Sequence, residues 1–353
     1  MENDTELVFS ESNFTSYADI FGASTGNTPV VFSPAFHIPE LCLLFFLLVG
    51  NSTVCWIIFT NENLRNRANM FVAILASADL CFGIFVAPFI VAGFLGDWYT
   101  DPYLCNFSGV ITTLFPAAAN VTLCFVSIDR LLFVRKPLRY QEYWKSPRCI
   151  VAICYVWIHA LIFPTLPPLF GWGKYIHHPA VNTCIPDLTE VPLFGYVTVA
   201  YGFVLPSVIM IYCYYRIYRA ARLQVMKVRS EAFAYQATTV RRVLHDTKLG
   251  YRRTAKTLIL MIVLHTVCWT PNLYVQVYSL RYGDSYAPSS KLQYVSALLI
   301  LTNTSLEPWV YGMYNVAFRK AVRRLFTVCD WKRLNCFRAC PRRPSNYQVS
   351  PII

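Results

Sequence analysis

The chain has 353 residues, of which 56% are hydrophobic and only 14% are charged. This proportion exceeds what the core of a soluble domain needs, and it favours residence in a membrane. The net charge of +12 could suggest nucleic acid as a partner. The basic residues are confined to short segments beside apolar runs, however, which favours anionic lipid headgroups and a cytosolic protein instead.

The amino-terminal 35 residues are polar and acidic, and they contain no Lys or Arg. A cleavable signal peptide starts with a basic segment, so we expect the first apolar run to act as an uncleaved signal anchor. Asn3 and Asn13 each begin a glycosylation sequon. We therefore expect residues 1–35 to form a glycosylated extracellular tail.

Seven apolar runs follow, each long enough to cross the hydrocarbon layer as a helix of about 20 residues. They lie at residues 36–60, 69–94, 105–132, 149–170, 193–218, 254–280 and 292–315. The predicted fold class is an all-α membrane protein, a seven-transmembrane helix bundle over residues 36–315.

Positive charge predicts the orientation of the bundle, because Lys and Arg resist translocation. All basic residues except Lys174, Arg281 and Lys291 fall in the first inner loop, in segments 130–148 and 216–256, which include the inner ends of the neighbouring runs, or in the tail after residue 316. This distribution places the amino terminus outside and the carboxyl terminus in the cytosol.

Cysteine positions predict one disulfide. Of thirteen cysteines, only Cys105 and Cys184 fall at outer positions, where oxidising conditions let a disulfide persist. We expect the bond to join the top of the third helix to the second outer loop. Two unpaired thiols are the alternative.

Polar side chains within the hydrocarbon layer cost several kcal/mol unless they face a partner or water. At ~1.5 Å per residue, Asn51, Asp79 and Glu307 all lie roughly 12 to 15 Å above the cytosolic surface. Asn303 lies one turn above Glu307 on the same face. These residues predict a hydrated cation or proton pocket linked to switching, with a purely structural hydrogen-bond network as the alternative.

A second polar level lies roughly 20 Å below the outer surface, at ~1.5 Å per residue. It contains Asn120, Pro206 and His265, and His265 precedes Trp269 by one turn. Pro206 and Pro271 each remove a backbone donor and should kink their helices. The level is a candidate pivot for helix movement, and a His–Asn hydrogen bond without a regulatory role is the alternative.

Short motifs recur in order along the chain. They are Gly50-Asn51, Leu75-Ala76-Ser77-Ala78-Asp79, Trp98 before Cys105, Asp129-Arg130-Leu131, Lys136-Pro137-Leu138, Trp157, Pro206 with Tyr214, Cys268-Trp269-Thr270-Pro271, and Pro308-Trp309-Val310-Tyr311 followed by Phe318-Arg319. Together they resemble the rhodopsin-like (class A) family of G-protein-coupled receptors over residues 36–328.

The resemblance implies roles at the cytoplasmic end. Arg130, next to Asp129, would reach a heterotrimeric G protein when the sixth helix swings outward. Tyr214 and Tyr311 would meet near it in the active state, and Leu138 would insert into the G-protein surface. Arrestin and a receptor kinase are further partners that the resemblance implies.

The resemblance also implies roles within the bundle. Trp269 would sense the ligand at the pocket floor, with Pro271 and Pro308 at switch positions of the family. Asp79 and Asn303 would belong to the sodium pocket of the family, with the ion at Asp79. No organic cofactor is expected.

Several positions depart from the family pattern. Glu307 stands where most members have Asn or Asp, and Ala119 replaces a serine that usually binds the sodium ion. Asn120 and His265 replace an apolar residue and a phenylalanine. Tyr251 replaces an acid that locks the arginine in many members, which suggests raised basal activity.

The candidate ligand pocket has no anchoring charge at two diagnostic positions. Thr112 stands where amine receptors carry an aspartate, and Leu301 stands where opsins carry the retinal-binding lysine. A classical monoamine is therefore disfavoured, and a retinal Schiff base is excluded. The remaining lining is neutral and suits a lipid, a neutral small molecule, a peptide segment or no ligand. Other pocket candidates are Thr113, Pro116, Thr198, Gly202, Asn272, Gln276, Gln293 and Ala297.

Two segments, 155–162 and 166–172, are similar to an orphan receptor of primary cilia that restrains Hedgehog signalling. Tyr311-Gly312 with Asn315 fits the same protein. This resemblance implies a ciliary membrane and coupling to the stimulatory G protein and cyclic AMP.

The carboxyl-terminal segment begins with a basic amphipathic stretch at residues 316–328, which predicts a short eighth helix along the membrane surface. Residues 329–353 would form a cytoplasmic tail. Cys329, Cys336 and Cys340 are candidates for palmitoylation, with unmodified thiols as the alternative.

Other classes of membrane protein fit less well. We find no internal repeats with paired broken helices, which are typical of transporters, so a transporter remains a remote alternative. No HExxH, GxSxG or paired-aspartate motif indicates an enzyme. The sequence therefore predicts a receptor of the plasma membrane that is not an enzyme.

Overall fold

The computed structural model describes residues 38–95, 101–136, 139–178, 183–234, 238–283, 288–315 and 318–323. Seven long helices occupy most of these ranges. They are α1 (Ile38–Thr60), α2 (Arg67–Leu95), α3 (Pro102–Arg135), α4 (Ser146–Phe170), α5 (residues 192–234), α6 (Thr238–Tyr282) and α7 (Ser290–Tyr314).

Several predicted features lie outside the described residues. They are the amino-terminal tail with Asn3 and Asn13, Trp98, Leu138, the tail cysteines Cys329, Cys336 and Cys340, and the whole of 329–353. The helical backbone at Tyr251 is described, but its side chain is not.

Six of the helices, α1 to α6, contain segments long and apolar enough to cross a membrane. The seventh, α7, has a comparable length of 25 residues. Its lower hydropathy follows from polar residues that turn inward, since Asn303, Ser305 and Glu307 are all buried. The polarity of α7 therefore serves the interior of the bundle.

The fifth and sixth helices extend well beyond the spans predicted at 193–218 and 254–280. The α-helical part of α5 runs on to Ala234, and α6 already begins at Thr238. The basic segment 216–256 is therefore mostly helical. Apolar length sets where a helix enters the bilayer, but a helix continues into water as long as its residues favour helix.

Helix α3 is central, because it packs against α2, α4 and α5. Helix α7 packs between α1 and α6, and α5 packs against α6. The apolar core between them contains many small side chains, including the fully buried Ala78, Ala118 and Ala160. Small side chains let neighbouring helix backbones approach closely.

Local signals explain several helix ends. Asp101 caps α3 by accepting hydrogen bonds from the amides of Tyr103 and Leu104 at 2.8 and 3.2 Å. Pro102 occupies the first turn, where its missing N–H costs nothing. Gly171 ends α4 with φ of 68°, a left-handed conformation that favours glycine.

An antiparallel hairpin lies between α4 and α5. Strand β1 (Lys174–His178) pairs with β2 (Thr183–Asp187), with Ile176 opposite Ile185. The structure contains the disulfide between Cys105 of α3 and Cys184 of β2. The hairpin is therefore fixed to the outer end of α3.

Helix α5 is irregular just before Pro206. The α-helical segment Pro192–Val199 is followed by a π-helical turn at Ala200–Val204, and regular helix resumes at Leu205. Helix α6, in contrast, is continuous through Pro271. After α7, residues 318–323 form a helical turn with Phe318 and Ala321 buried, within the segment predicted as the eighth helix.

Candidate functional site

Two acidic side chains meet inside the bundle. The carboxyl groups of Asp79 in α2 and Glu307 in α7 lie side by side, close enough to share a hydrogen bond. They are 1% and 5% exposed, respectively. Asn303 donates a hydrogen bond of 2.7 Å to Oε1 of Glu307. The sequence placed Asp79 and Glu307 at one depth and Asn303 one turn above Glu307, and the structure brings the three together.

Asn51 completes the lower wall of this pocket. Its amide donates to the carbonyl of Leu47 at 3.0 Å and to that of Thr304 at 3.5 Å. The bond to Thr304 links α1 to α7. A small cavity beside it is lined by Asn51, Val54, Val72, Leu75, Ala76, Asp79, Met261, Glu307, Pro308 and Tyr311.

The donor set of the pocket suits a proton or a hard monovalent cation. Oδ2 of Asp79, Oε2 of Glu307 and Oδ1 of Asn303 are buried oxygens without a hydrogen-bond partner among the described residues. Two adjacent carboxyl groups seldom both ionise without a cation between them. Within the described ranges, no group of three or more His, Cys, Asp or Glu could hold a transition metal.

Asn120 of α3 bonds to the backbone of α5. Its amide nitrogen donates to the carbonyl of Gly202 at 2.6 Å. Because Pro206 has no amide hydrogen, it cannot donate to this carbonyl four residues earlier. Asn120 therefore supplies the hydrogen bond that the proline withholds, and it does so at the π-helical turn.

His265 of α6 lies in an aromatic stack. Its ring centroid is 5.8 Å from that of Phe203 in α5 and 5.5 Å from that of Trp269. The side chain is 2% exposed, and Nε2 has no described hydrogen-bond partner. The alternative of a satisfied His–Asn hydrogen bond is therefore wrong, because Asn120 uses its donor on α5 and its Oδ1 is also without a described partner.

One small cavity reaches from this second level to Glu307 of the carboxyl pair. It is lined by Pro116, Ala119, Asn120, Leu123, His265, Trp269, Asn303, Thr304 and Glu307. Among its walls are buried polar atoms of His265, Asn120, Trp269, Asn303 and Glu307 without a described partner. Such a polar-walled space is suited to ordered water.

The cytoplasmic end of α3 holds an acid–base pair. Oδ2 of Asp129 lies 3.7 Å from Nε of Arg130, and Asp129 is 1% exposed. Tyr140, in the helical turn Tyr140–Tyr143, donates to Oδ1 of Asp129 at 2.6 Å. Burial, reinforced by the neighbouring carboxylate, raises the pKa of Tyr140 above its ordinary value. The phenol therefore remains a donor at physiological pH.

Tyr311 is bonded to α2. Its hydroxyl donates to Oδ1 of Asn69 at 2.9 Å and accepts from Asn315 at 2.6 Å. Tyr214 instead lies beside Tyr218 of its own helix, with ring centroids 6.3 Å apart. Of the two tyrosines expected to meet in an active state, Tyr311 is thus hydrogen-bonded to α2 and Tyr214 contacts a ring of its own helix.

The polar candidates of the ligand pocket mostly satisfy their own helices. Thr112, Thr113 and Thr198 each donate to the carbonyl four residues earlier, at 2.8 to 2.9 Å. Gln293 donates to the carbonyl of Pro288 at 2.8 Å, at the start of α7. Hydroxyls bonded in this way retain acceptor capacity for a ligand but have no free donor.

The other pocket candidates differ in position. Leu301 is buried in an apolar cluster with Leu44 and Phe82, so it faces α1 and α2. Pro116 lines the inner cavity instead of the outer end of α3. Gln276 is exposed, whereas Asn272 is half-buried.

Pro308, which was predicted as a switch residue, packs on Gly50 of α1. A Cβ added to Gly50 would come within 3.1 Å of the proline ring.

Sequence reasoning missed three contacts. Tyr140 could not be assigned to Asp129, because nothing in the loop pattern marks it. Tyr175 of the hairpin is buried against Gly109, and its hydroxyl donates to the carbonyl of Pro164 at 2.9 Å. Glu40, near the outer end of α1, is 4% exposed and lies next to Tyr294. The position of Glu40, an acidic residue within the first apolar run, was the sequence signal that could have indicated this contact.

Comparisons with known proteins agree with this arrangement. A family model described as 7 transmembrane receptor (rhodopsin family) matches residues 50–311. The chain is 29% identical to the histamine H2 receptor of Canis lupus familiaris over 287 residues, which cover 80% of this chain and 77% of that protein. It is 27% identical to adenosine receptor A2a of Homo sapiens over 314 residues, with coverage of 84% and 73%.

The fold comparison gives the same result. A crystal structure of squid rhodopsin superposes with a TM-score of 0.73 at 21% identity, over 86% of this chain and 87% of that chain. The predicted seven-helix fold is thereby confirmed.

Proposed function

The chain belongs to the rhodopsin family of seven-transmembrane receptors, and on that premise we propose that an extracellular ligand controls it by favouring a form that is open to the G protein. The family consists of multi-pass membrane receptors that signal through G proteins and are not enzymes. We place the amino terminus outside and the carboxyl terminus in the cytosol, as the distribution of basic residues predicts.

The observation that carries the proposal is how Arg130 and Tyr311 are bonded at the cytoplasmic end. Arg130 lies against Asp129, which also accepts from Tyr140. Tyr311 is bonded to Asn69 and not to Tyr214. In the proposed mechanism, outward movement of α6 exposes Arg130 to the G protein. An agonist drives this change only by the difference between its affinities for the two forms.

We propose a neutral ligand. Two of the relatives are named for histamine and adenosine, but Thr112 stands where an amine-binding aspartate would be, and its hydroxyl donates to Ser108. Leu301 stands where opsins carry the retinal-binding lysine, so this position offers no amine for a Schiff base, and it is buried in an apolar cluster. A ligand with donors of its own would match the acceptors that remain on Thr112 and Thr113.

The carboxyl pair is the proposed switch pocket. Asp79 and Glu307 would hold one shared proton or a sodium ion, with Asn303 as an additional oxygen ligand. The cavity that joins Glu307 to His265 offers a route by which movement of α6 changes the pocket. Coupling of this kind requires that the two forms of the receptor bind the ion or proton differently.

A receptor active without ligand is the second candidate. Tyr251 of α6 stands where many family members carry an acid that locks the arginine. The acid found at Arg130 belongs to α3 itself, so this pair does not tie α6 to α3. Arrestin, a receptor kinase, a ciliary location and coupling to the stimulatory G protein remain proposals from resemblance.

The test is ligand-independent cyclic AMP and inositol phosphate in cells expressing the wild type, Arg130→Ala and Glu307→Asn at matched surface levels. Arg135→Ala is the matched control, since Arg135 is an exposed arginine at the same helix end. The constitutive candidate is favoured if the wild type signals above mock cells, Arg130→Ala removes this signal and Arg135→Ala does not.

A silent wild type would favour the ligand-gated candidate, and a panel of neutral compounds would then be screened on the same cells. An agonist signal that survives in Arg130→Ala at the wild-type level would contradict the proposed coupling role of that residue.

A further inference from the structure

Three tyrosine–arginine pairs follow one another on α5, and we call them the α5 ladder. In each pair the arginine follows the tyrosine by four residues, and the guanidinium lies over the ring, 4.9 to 5.8 Å from its centroid. The pairs are Tyr212 with Arg216, Tyr215 with Arg219, and Tyr218 with Arg222.

The ladder lies on the outer side of the bundle. The buried side of this part of α5 is formed by Met210, Cys213 and Ile217, which are at most 2% exposed. At 3.6 residues per turn, the ladder residues occupy the opposite side of the helix. Tyr212 and Tyr215 are accordingly 50% and 52% exposed.

The depth of the ladder coincides with a membrane boundary. Helix α5 starts at Pro192, and a hydrocarbon layer of about 30 Å takes roughly 20 helical residues. In the orientation proposed above, the layer therefore ends near Tyr212, at the inner surface. Tyrosine is typical of this interface, because it combines an apolar ring with a polar hydroxyl.

The direction of the arginine side chains places their positive charges near the inner surface of the bilayer. Side chains in a helix lean toward its amino-terminal end, which is the outer end of α5. Arg216 follows this rule, because its Nη1 donates to the hydroxyl of Tyr212 at 2.7 Å. Each guanidinium is thus directed back toward the bilayer, where lipid phosphates lie.

The charges of the ladder are not neutralised within the described part of the chain. No described acidic side chain forms an ion pair with Arg216, Arg219 or Arg222. The three positions span about 9 Å along the helix, which matches a headgroup with more than one phosphate. Arginine suits this ligand, since its planar fork binds phosphate through two hydrogen bonds while its face stacks on an aromatic ring.

We propose that the α5 ladder is a binding site for anionic phospholipids of the inner leaflet that carry several phosphates on the headgroup. The tyrosines act as platforms that hold the guanidinium groups at the level of the phosphates. A lipid is favoured over a protein partner because the ladder faces away from the helices and lies at the depth of the headgroups.

The test measures binding of dioctanoyl phosphatidylinositol 4,5-bisphosphate to the purified full chain in uncharged detergent. Dioctanoyl phosphatidylcholine is the zwitterionic lipid control, and inorganic phosphate is the competitor. One variant replaces the three ladder arginines with Gln, and a second replaces the three tyrosines with Leu while keeping the charge. The control variant removes the same charge from three exposed positions in the inner loops, outside the amphipathic segment 316–328: Arg65, Arg139 and Lys145.

We expect the arginine variant to weaken binding by about tenfold or more, because each arginine near the surface contributes separately to attraction of anionic lipid. The tyrosine variant should weaken it by about threefold, and the control variant by less than about twofold. Thermal unfolding without lipid identifies variants that fail to fold.

Equal lipid affinity of the arginine and control variants would overturn the proposal. So would full competition by inorganic phosphate at the concentration of the lipid, since the site would then not be specific for a lipid. A ladder variant that binds lipid normally but no longer couples to the G protein would reassign this face to a protein partner.

Discussion

The hydroxyl of Tyr140 donates a 2.6 Å hydrogen bond to Oδ1 of Asp129, from a helical turn outside the bundle to the last turns of α3. The same carboxylate holds Arg130 through its other oxygen. A donor on the charged form of an acid stabilises that form. Tyr140 therefore helps to keep Asp129 ionised and Arg130 in place.

Replacing Tyr140 with Phe should raise ligand-independent signalling. A hydrogen bond to a charged group contributes about 1.5–3 kcal/mol, so even partial loss should raise the basal signal by about threefold or more. The measurement is second messenger at matched surface expression. Tyr143→Phe is the control, because its exposed hydroxyl accepts from Lys136 and does not reach Asp129.

This effect should not depend on pH near neutrality. The pKa of Tyr140 is raised, so its protonated form is favoured in the folded protein. The contribution of the bond is thus fully present below the ordinary tyrosine pKa of about 10, and it is lost only above that value. A signal ratio of variant to wild type that changes between about pH 6 and pH 9 would argue against this role.

Asn120 and Pro206 should be energetically coupled. Asn120→Ala leaves the Gly202 carbonyl without its donor, which should cost about 1–3 kcal/mol of unfolding free energy. In a Pro206→Ala background the backbone gains an N–H that can bond to Gly202, so the cost should fall by at least about half. The double-mutant cycle is measured by thermal unfolding in detergent.

The control for this cycle is Thr122→Val. Thr122 is buried in the same helix, but it donates to Ala118 of its own helix. Its effect should add to that of Pro206→Ala, since distant sites without shared partners act independently. If Asn120→Ala is equally costly in both backgrounds, then Asn120 does not provide the hydrogen bond to Gly202 that Pro206 lacks.

Replacing His265 with Phe should stabilise the ligand-free receptor. Phenylalanine keeps the stack with Phe203 and Trp269 and removes a buried ring nitrogen without a described partner, a gain of about 1 kcal/mol. His265→Ala should instead be destabilising, because it removes the ring contacts. A lower unfolding temperature for His265→Phe would indicate that the nitrogen is hydrogen-bonded in the native receptor.

The carboxyl pocket should bind sodium in competition with a proton. Sodium chloride, compared with potassium chloride, should raise the unfolding temperature more at about pH 8 than at about pH 6, because a cation allows both carboxyl groups to ionise. Asp79→Asn should abolish the difference. A sodium effect that is equal at both pH values in the wild type would contradict competition at this pair.

Gly109 should tolerate no larger residue. An added Cβ would overlap the ring of Tyr175, so Gly109→Ala should destabilise the receptor by about 1–3 kcal/mol by displacing the hairpin. Gly202→Ala is the control, since a Cβ there meets nothing within 4 Å. Combining Gly109→Ala with Tyr175→Ala should relieve the overlap, and failure to do so would place the strain elsewhere.

The sequence determined the number of membrane-spanning helices and the depth of the polar residues. This was possible because hydrocarbon thickness fixes the length of a span and the helical rise converts sequence separation into depth. Asp79, Asn303 and Glu307 could be assigned to one pocket for this reason. Motif order along the chain also identified the family, since each motif falls on its expected helix.

Only the tertiary structure decided which polar groups bond to each other. Asn120 and His265 share a depth, yet Asn120 bonds to α5 and His265 stacks between aromatic rings. Tyr140 likewise bonds to Asp129, although no sequence pattern marks this pair. Tyr311 bonds to Asn69, which is far away in the sequence. Hydropathy sets depth but leaves the rotation of each helix about its axis undetermined, and that rotation is fixed only when the side chains of neighbouring helices pack together.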